Sequence, residues 1–178
     1  VLTNACKPTG DGPVPMFLPR SDVLFDAPWP TDARVDDDGT LDVSAYPGPE
    51  DNPLWEKYLA VADQQVGFGT NGPVYFRFDG PLDTSLLPSP AASLQEDSTL
   101  LLLNVDPTSP GWGERLPVQW SFEPEVTQYQ PGDLLAVSPV WGFPMRPGTR
   151  YAVVVTQGAA CPDAEFLRSM EPGHDDYP

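Results

Sequence analysis

Apolar residues recur at every second position in several short runs of this chain. The clearest run is Pro73 to Leu86, PVYFRFDGPLDTSL. Val74, Phe76 and Phe78 fall on one face of an extended segment, and Tyr75, Arg77 and Asp79 on the other. That spacing predicts a half-buried β-strand, and the aromatic side chains suit a pleated surface. Asp79-Gly80-Pro81 predicts a turn, after which Leu82 and Leu86 point back to the apolar layer. STLLLLNVD, 98–106, is apolar without interruption and predicts a strand buried on both faces. Leu116, Val118, Trp120 and Phe122 alternate with other positions and predict a strand covered on one face. DLLAVSPV, 133–140, and RYAVVVTQG, 150–158, predict two more strands. In the latter, Tyr151, Val153 and Val155 alternate against Ala152, Val154 and Thr156. Both faces are apolar, so a central place in a sheet is expected. A further short strand is expected within 126–129.

Earlier in the chain, Val35, the turn Asp37-Asp38-Gly39, Leu41 and Val43 predict a β-hairpin. One stretch has the period of a helix instead. Asn52 is a suitable N-cap and Pro53 suits the first turn. Leu54, Trp55, Tyr58, Leu59, Ala62 and Val66 then form a stripe at three-to-four spacing that ends at Gly67 and Gly69. The stripe is expected to pack beside the 73–86 strand. About seven strands at roughly ten-residue spacing predict an all-β fold, an immunoglobulin-like β-sandwich with one packed helix over 52–66. The sandwich is expected over 33–160. A long Pro-rich arm over 1–32 precedes it and inserts single apolar side chains such as Trp29. Residues 161–178 read as a tail or the start of a following segment, with a short helix at 163–170.

Composition sharpens this picture. The chain has 178 residues and 24 prolines, far above the usual ~5%. Prolines are excluded from helix interiors and central strands, so they must punctuate turns and extended connections. The net charge of -17 argues against nucleic acid and anionic membranes as partners, since phosphate binding needs a Lys/Arg surface. No run of 18 apolar residues exists to span a bilayer. Cys6 and Cys161 are the two cysteines. A disulfide between them is one reading. Lipid attachment at Cys6, after VLTNA, is the other. Both place the protein outside the cytoplasm, secreted or at the cell surface.

Candidate chemistry is sparse. Asp36, Asp38 and Asp42 suggest calcium, which takes several oxygen ligands, although the spacing does not follow the EF-hand. Trp112, in PGWGE, and Trp141 are candidates for stacking on a glycan. No GxSxG is present. His174, the one histidine, stands in a polar run with nothing to orient its ring as a base. GFGTNG, 67–72, follows the helix rather than opening one, so it reads as a cap and turn, not a phosphate loop. No cofactor is expected beyond calcium, and no enzyme activity of this chain.

Three segments together carry a family resemblance: VYFRFDGPLDTSLLP, then LLLLNVD, then PVWGFPMRPGTRYAVVVTQG. They resemble the immunoglobulin-like module of bacterial extracellular proteins. FDAPWPTD, DDDGTLDVSAYP and VGFGTN resemble the N-terminal domain that precedes the α/β-hydrolase part of some bacterial surface lipases. The resemblance covers about residues 22–158. It implies an accessory, non-catalytic module whose partner is an adjacent domain of the same protein, with any Ser, Asp and His of a hydrolase beyond Pro178. The alternative is a self-standing binding or assembly protein that uses its N-terminal arm on neighbouring copies or its exposed aromatics on a glycan.

Overall fold

In the computed structural model, which describes residues 12–19, 21–48 and 52–163, the chain forms helix α1 (Pro53–Ala62) and then six strands. These are β1 (Val74–Arg77), β2 (Leu100–Asn104), β3 (Arg115–Leu116), β4 (Val118–Glu123), β5 (Leu134–Pro139) and β6 (Tyr151–Val155). They make two antiparallel sheets, in the orders β1-β5-β4 and β3-β2-β6. The described chain is therefore mostly β, with one α-helix.

Alternation sets the core. Phe76 and Phe78, Val118 of β4, and Leu135 and Val137 of β5 meet Leu100 and Leu102 of β2 in one apolar cluster. Both sheets thus bury one face against the same core, the arrangement that a two-layer β architecture requires. β2 buries Leu100, Leu102 and Asn104 and half-buries Leu101 and Leu103, and it has neighbours on both sides. The strand expected within 98–106 is present over Leu100–Asn104, with one face buried and the other half-buried rather than both buried.

A second cluster lies on the other face of the first sheet. Tyr75 and Leu134 are covered there by Leu24, Phe25 and Trp29 from the N-terminal segment, by Leu41 and Val43, and by Leu59 and Ala62 of α1. Trp29 is buried and meets Phe68 edge to face at 5.6 Å, so it serves as a core plug. The N-terminal segment also follows the outer edge of β1. The Met16 N–H donates to Arg77 O at 2.8 Å, and Trp29 and Tyr75 exchange two backbone bonds at 3.1 and 2.6 Å.

Several expectations are corrected. The helix ends at Ala62 rather than near residue 66. The residues that follow are captured elsewhere: Val66 bridges Thr40, and the Gly67 N–H donates to Gly39 O at 3.2 Å. The predicted stripe is only partly used. Trp55, Leu59 and Ala62 are half-buried, whereas Leu54, Tyr58 and Val66 are exposed. The second cluster is small and offers room for one edge of the helix. Residues 126–129 form no strand. The Thr127 N–H turns back to Gln130 O at 2.9 Å, and Val126 stands in solvent. The 35–43 hairpin is reduced to a single Val35–Leu41 bridge around a tight turn. There Gly39 takes φ +85°, a conformation that favours glycine. Most consequential, β6 lies at the edge of its sheet and not at the centre. Cys6, the expected helix over 163–170 and His174 lie outside the described residues.

Candidate functional site

The edge position of β6 opens one side of the molecule. A cleft of about 1760 Å³ lies there. Met16, Trp29, Val74 and Phe76 line one wall, and Tyr151 and Val153 line the other. Phe76, Val74, Tyr151 and Val153 also belong to, or pack against, the main core. The cleft is thus continuous with the interior. Its volume exceeds the ~300–1,000 Å³ typical of small-molecule pockets.

β6 supplies the polar half of this site. Its ladder with β2 runs from Leu100 opposite Val155 to Asn104 opposite Tyr151. The flanking bonds fix the alternation: the Val105 N–H donates to Arg150 O at 3.0 Å and the Thr156 N–H to Thr99 O at 2.9 Å. Ala152 and Val154 therefore direct their backbone groups at β2, while Tyr151, Val153 and Val155 direct theirs away from it. No hydrogen bond to those three outward N–H and C=O pairs is made among the described residues. Arg150, exposed, stands just before the strand and beside Asp106, whose carboxyl it helps to hold below its usual range after the larger effect of the Thr108 hydroxyl.

The other edges are treated differently. The N-terminal segment covers β1. On β4, the Val118 N–H donates to Ser93 Oγ at 3.0 Å, the Trp120 indole donates to Pro88 O at 2.8 Å, and Glu123 adds charge at the end. β3 has two residues. Charge, side-chain bonding, cover and shortness are the usual ways of blunting an edge, and among the described residues β6 itself shows none of them.

A second, smaller hollow of about 510 Å³ is lined by Trp55, Tyr58, Tyr46 and Tyr129. The rings of Trp55 lie 5.8 Å from Tyr46 and 6.0 Å from Tyr129. Burial pushes the Tyr46 and Tyr75 hydroxyls above the ordinary tyrosine range.

The residues singled out in the sequence are not brought together. Asp42 turns to Arg34 at 3.0 Å, and Asp38 accepts bonds from Thr40 in its own turn. Among the described residues no group of three His, Cys, Asp or Glu side chains is placed to hold a metal, so Asp36, Asp38 and Asp42 do not form a donor set. Trp112 is 68 % exposed in the β2–β3 loop, and Trp141 is 87 % exposed in the β5–β6 connection. Cys161 is buried, and its N–H donates to Pro13 O at 2.8 Å. The buried hydroxyls have structural partners: Ser93 Oγ donates to Pro90 O and Ser98 Oγ to Leu100 O, both at 2.7 Å. The cleft itself was not found by sequence reasoning, although the two-faced apolar pattern of residues 151–156 was the signal for it. Comparison with protein-family models, curated proteins and solved structures finds no match to this chain.

Proposed function

We propose that this chain is a non-catalytic immunoglobulin-like accessory module of an exported bacterial surface or secreted protein. In this reading the module precedes a lipase-type hydrolase domain, and the open side of its β-sandwich is the face that holds that neighbour. The observation that carries the reading is the cleft between β1 and β6. Val74, Phe76, Tyr151 and Val153 line it, and the same residues belong to or pack on the main core. The largest apolar patch on a protein of this kind is often functional. The pairing of residues 15 and 16 with their own β1 edge supports a module over an arm donated to another copy.

An extracytoplasmic setting and a Cys6–Cys161 disulfide belong to the same proposal. Pro13 touches Cys161 through its carbonyl, and the seven residues from Cys6 to Pro13 reach up to about 23 Å when extended. Hydrogen exchange on the natural protein and on this chain alone tests the docking face. Amides around Val74, Met145 and Val153 are expected to exchange more slowly in the natural protein. Equal rates would overturn the reading.

A second reading rests on Trp141, which projects into solvent with Phe143 exposed two residues on. Such a pair can stack on sugar rings. Retardation in a gel containing a soluble β-glucan, lost in Trp141→Ala, is its expected signature; unchanged mobility in β-glucan would remove it.

A further inference from the structure

We infer that β6 is a strand-addition site: an extended segment of the neighbouring domain lies in the cleft and pairs with the outer edge of β6 as a fourth strand of the β3-β2-β6 sheet. This rests on the accessory-module reading above and names the form in which the neighbour is held.

Three observations converge. The sequence of β6 is that of a central strand: Tyr-Ala-Val-Val-Val carries no charge and is apolar on both faces. Among the described residues one side nevertheless has no neighbouring strand. The outward N–H and C=O groups of Tyr151, Val153 and Val155 have no partner among the described residues. The chemical complement of such a row is another backbone, and main-chain bonding is how strand addition gains affinity. The side chains of the same three residues pack against the main core, and the cleft beside them is lined across the gap by Val74 and Phe76. A strand laid there would turn alternate side chains into that gap, which fixes the partner's pattern as apolar at every second position.

Charge selects the ends of the segment. Arg150, exposed just before β6, is the cation that a carboxylate at the end of the added segment meets. A second copy of this chain fits less well. Its own β6 is flanked by the same cleft lining, Met16, Trp29 and Met145 among it, and two such linings cannot enter one cleft.

The test uses the whole chain and a nine-residue probe of alternating valine and threonine with a glutamate at each end. Saturating probe is expected to slow exchange at the Tyr151, Val153 and Val155 amides. Methylating alternate probe nitrogens on the bonding side is expected to weaken binding about tenfold or more, since each lost backbone bond counts for about two- to tenfold. Val153→Pro serves as the protein-side control. The Val153 N–H faces outward, so proline there leaves the β2 ladder bonds in place. This variant should keep a cooperative melt, lowered by the core packing that Val153 loses, and lose the probe. Arg150→Glu should prefer a probe ended by lysines.

Protection of the three amides in the isolated chain without probe would overturn the proposal, because the edge would already be filled. So would a dimer that protects them. Undiminished binding of the methylated probe, or no binding up to about 1 mM, would overturn strand addition. Slow exchange at Val74 and Met145 in the natural protein would then still stand for the docking face.

Discussion

Four aspartates share one local device. Asp38, Asp42, Asp83 and Asp106 each accept, on one carboxylate oxygen, the N–H and the hydroxyl of the Ser or Thr two residues on. The hydroxyl bonds are 2.6 Å to Thr40, Ser44 and Ser85 and 2.7 Å to Thr108. In each case that hydroxyl is the main reason the carboxyl sits below its ordinary range. A carboxyl whose folded pKa is depressed contributes stability that is complete above the unfolded value, roughly 3.9, and is lost as pH falls through the folded value. The urea midpoint is therefore expected to stay flat from about pH 7 to 5 and to fall below about pH 4. Replacing Thr40, Ser44, Ser85 and Thr108 together by residues without a hydroxyl should lower the plateau and flatten the acid limb; an unchanged acid limb would refute the assignment. Arg34 adds a second ionic contact. It is buried, bonds Asp42 at 3.0 Å and Ser21 O at 2.6 Å, and leaves its Nε without a partner.

Helix α1 shows how tertiary contacts choose among apolar residues. Asn52 Oδ1 accepts from the Leu54 and Trp55 N–H groups at 3.0 and 3.3 Å, so the helix starts where its cap dictates. Of its apolar stripe, only the side with Trp55, Leu59 and Ala62 reaches a covering layer. Leu54→Lys and Tyr58→Lys are expected to change stability by less than about 0.5 kcal/mol, as exposed sites do, whereas Leu59→Ala should cost about 1–3 kcal/mol. Urea denaturation of the three variants distinguishes them. Gly48 matters to the same element. A Cβ at that position would come within 2.0 Å of Trp55 Nε1. Gly48→Ala is expected to displace the indole, cost about 1–3 kcal/mol and shift the emission of Trp55 to longer wavelength. Leu135, by contrast, is fully buried in the main core. Leu135→Ala should cost about 2–5 kcal/mol in the same assay.

For the whole molecule, the contrast is between a closed side and an open one. The first sheet is covered on both faces by its two clusters, and the N-terminal segment covers its β1 edge. The second sheet ends at β6 in a cleft continuous with the core. An apolar dye such as ANS is accordingly expected to bind the isolated chain at neutral pH without unfolding it, and Val153→Asp should reduce that binding. Dye binding that Val153→Asp leaves untouched would place the apolar surface elsewhere. Mass analysis of the natural protein, with and without reductant, tests the covalent part of the proposal. A Cys6–Cys161 bridge gives a gain of about two hydrogens on reduction. A lipid on Cys6 gives a larger fixed mass that reductant does not change.

The sequence by itself determined the local elements. Period-two alternation set β1 and β4, because one buried face in every second position allows one register only, and an uninterrupted apolar run set β2. Asn52-Pro53 set the start of α1, because capping is decided within one turn. Pro147-Gly148 set the turn before β6, where Gly148 takes φ +62°. What the tertiary structure alone decided was which neighbours each element receives. Residues 151–155 read as a central strand, yet the fold gives them one partner. The 54–66 stripe reads as packed beside the 73–86 strand, yet the second cluster covers only one side of it. The expected calcium ligands share a short stretch of chain, yet Asp42 is claimed by Arg34 and Asp38 by its own turn. A strand's pattern records that a surface must be covered and carries nothing about what covers it, because burial is a property of pairs of surfaces brought together from distant parts of the chain.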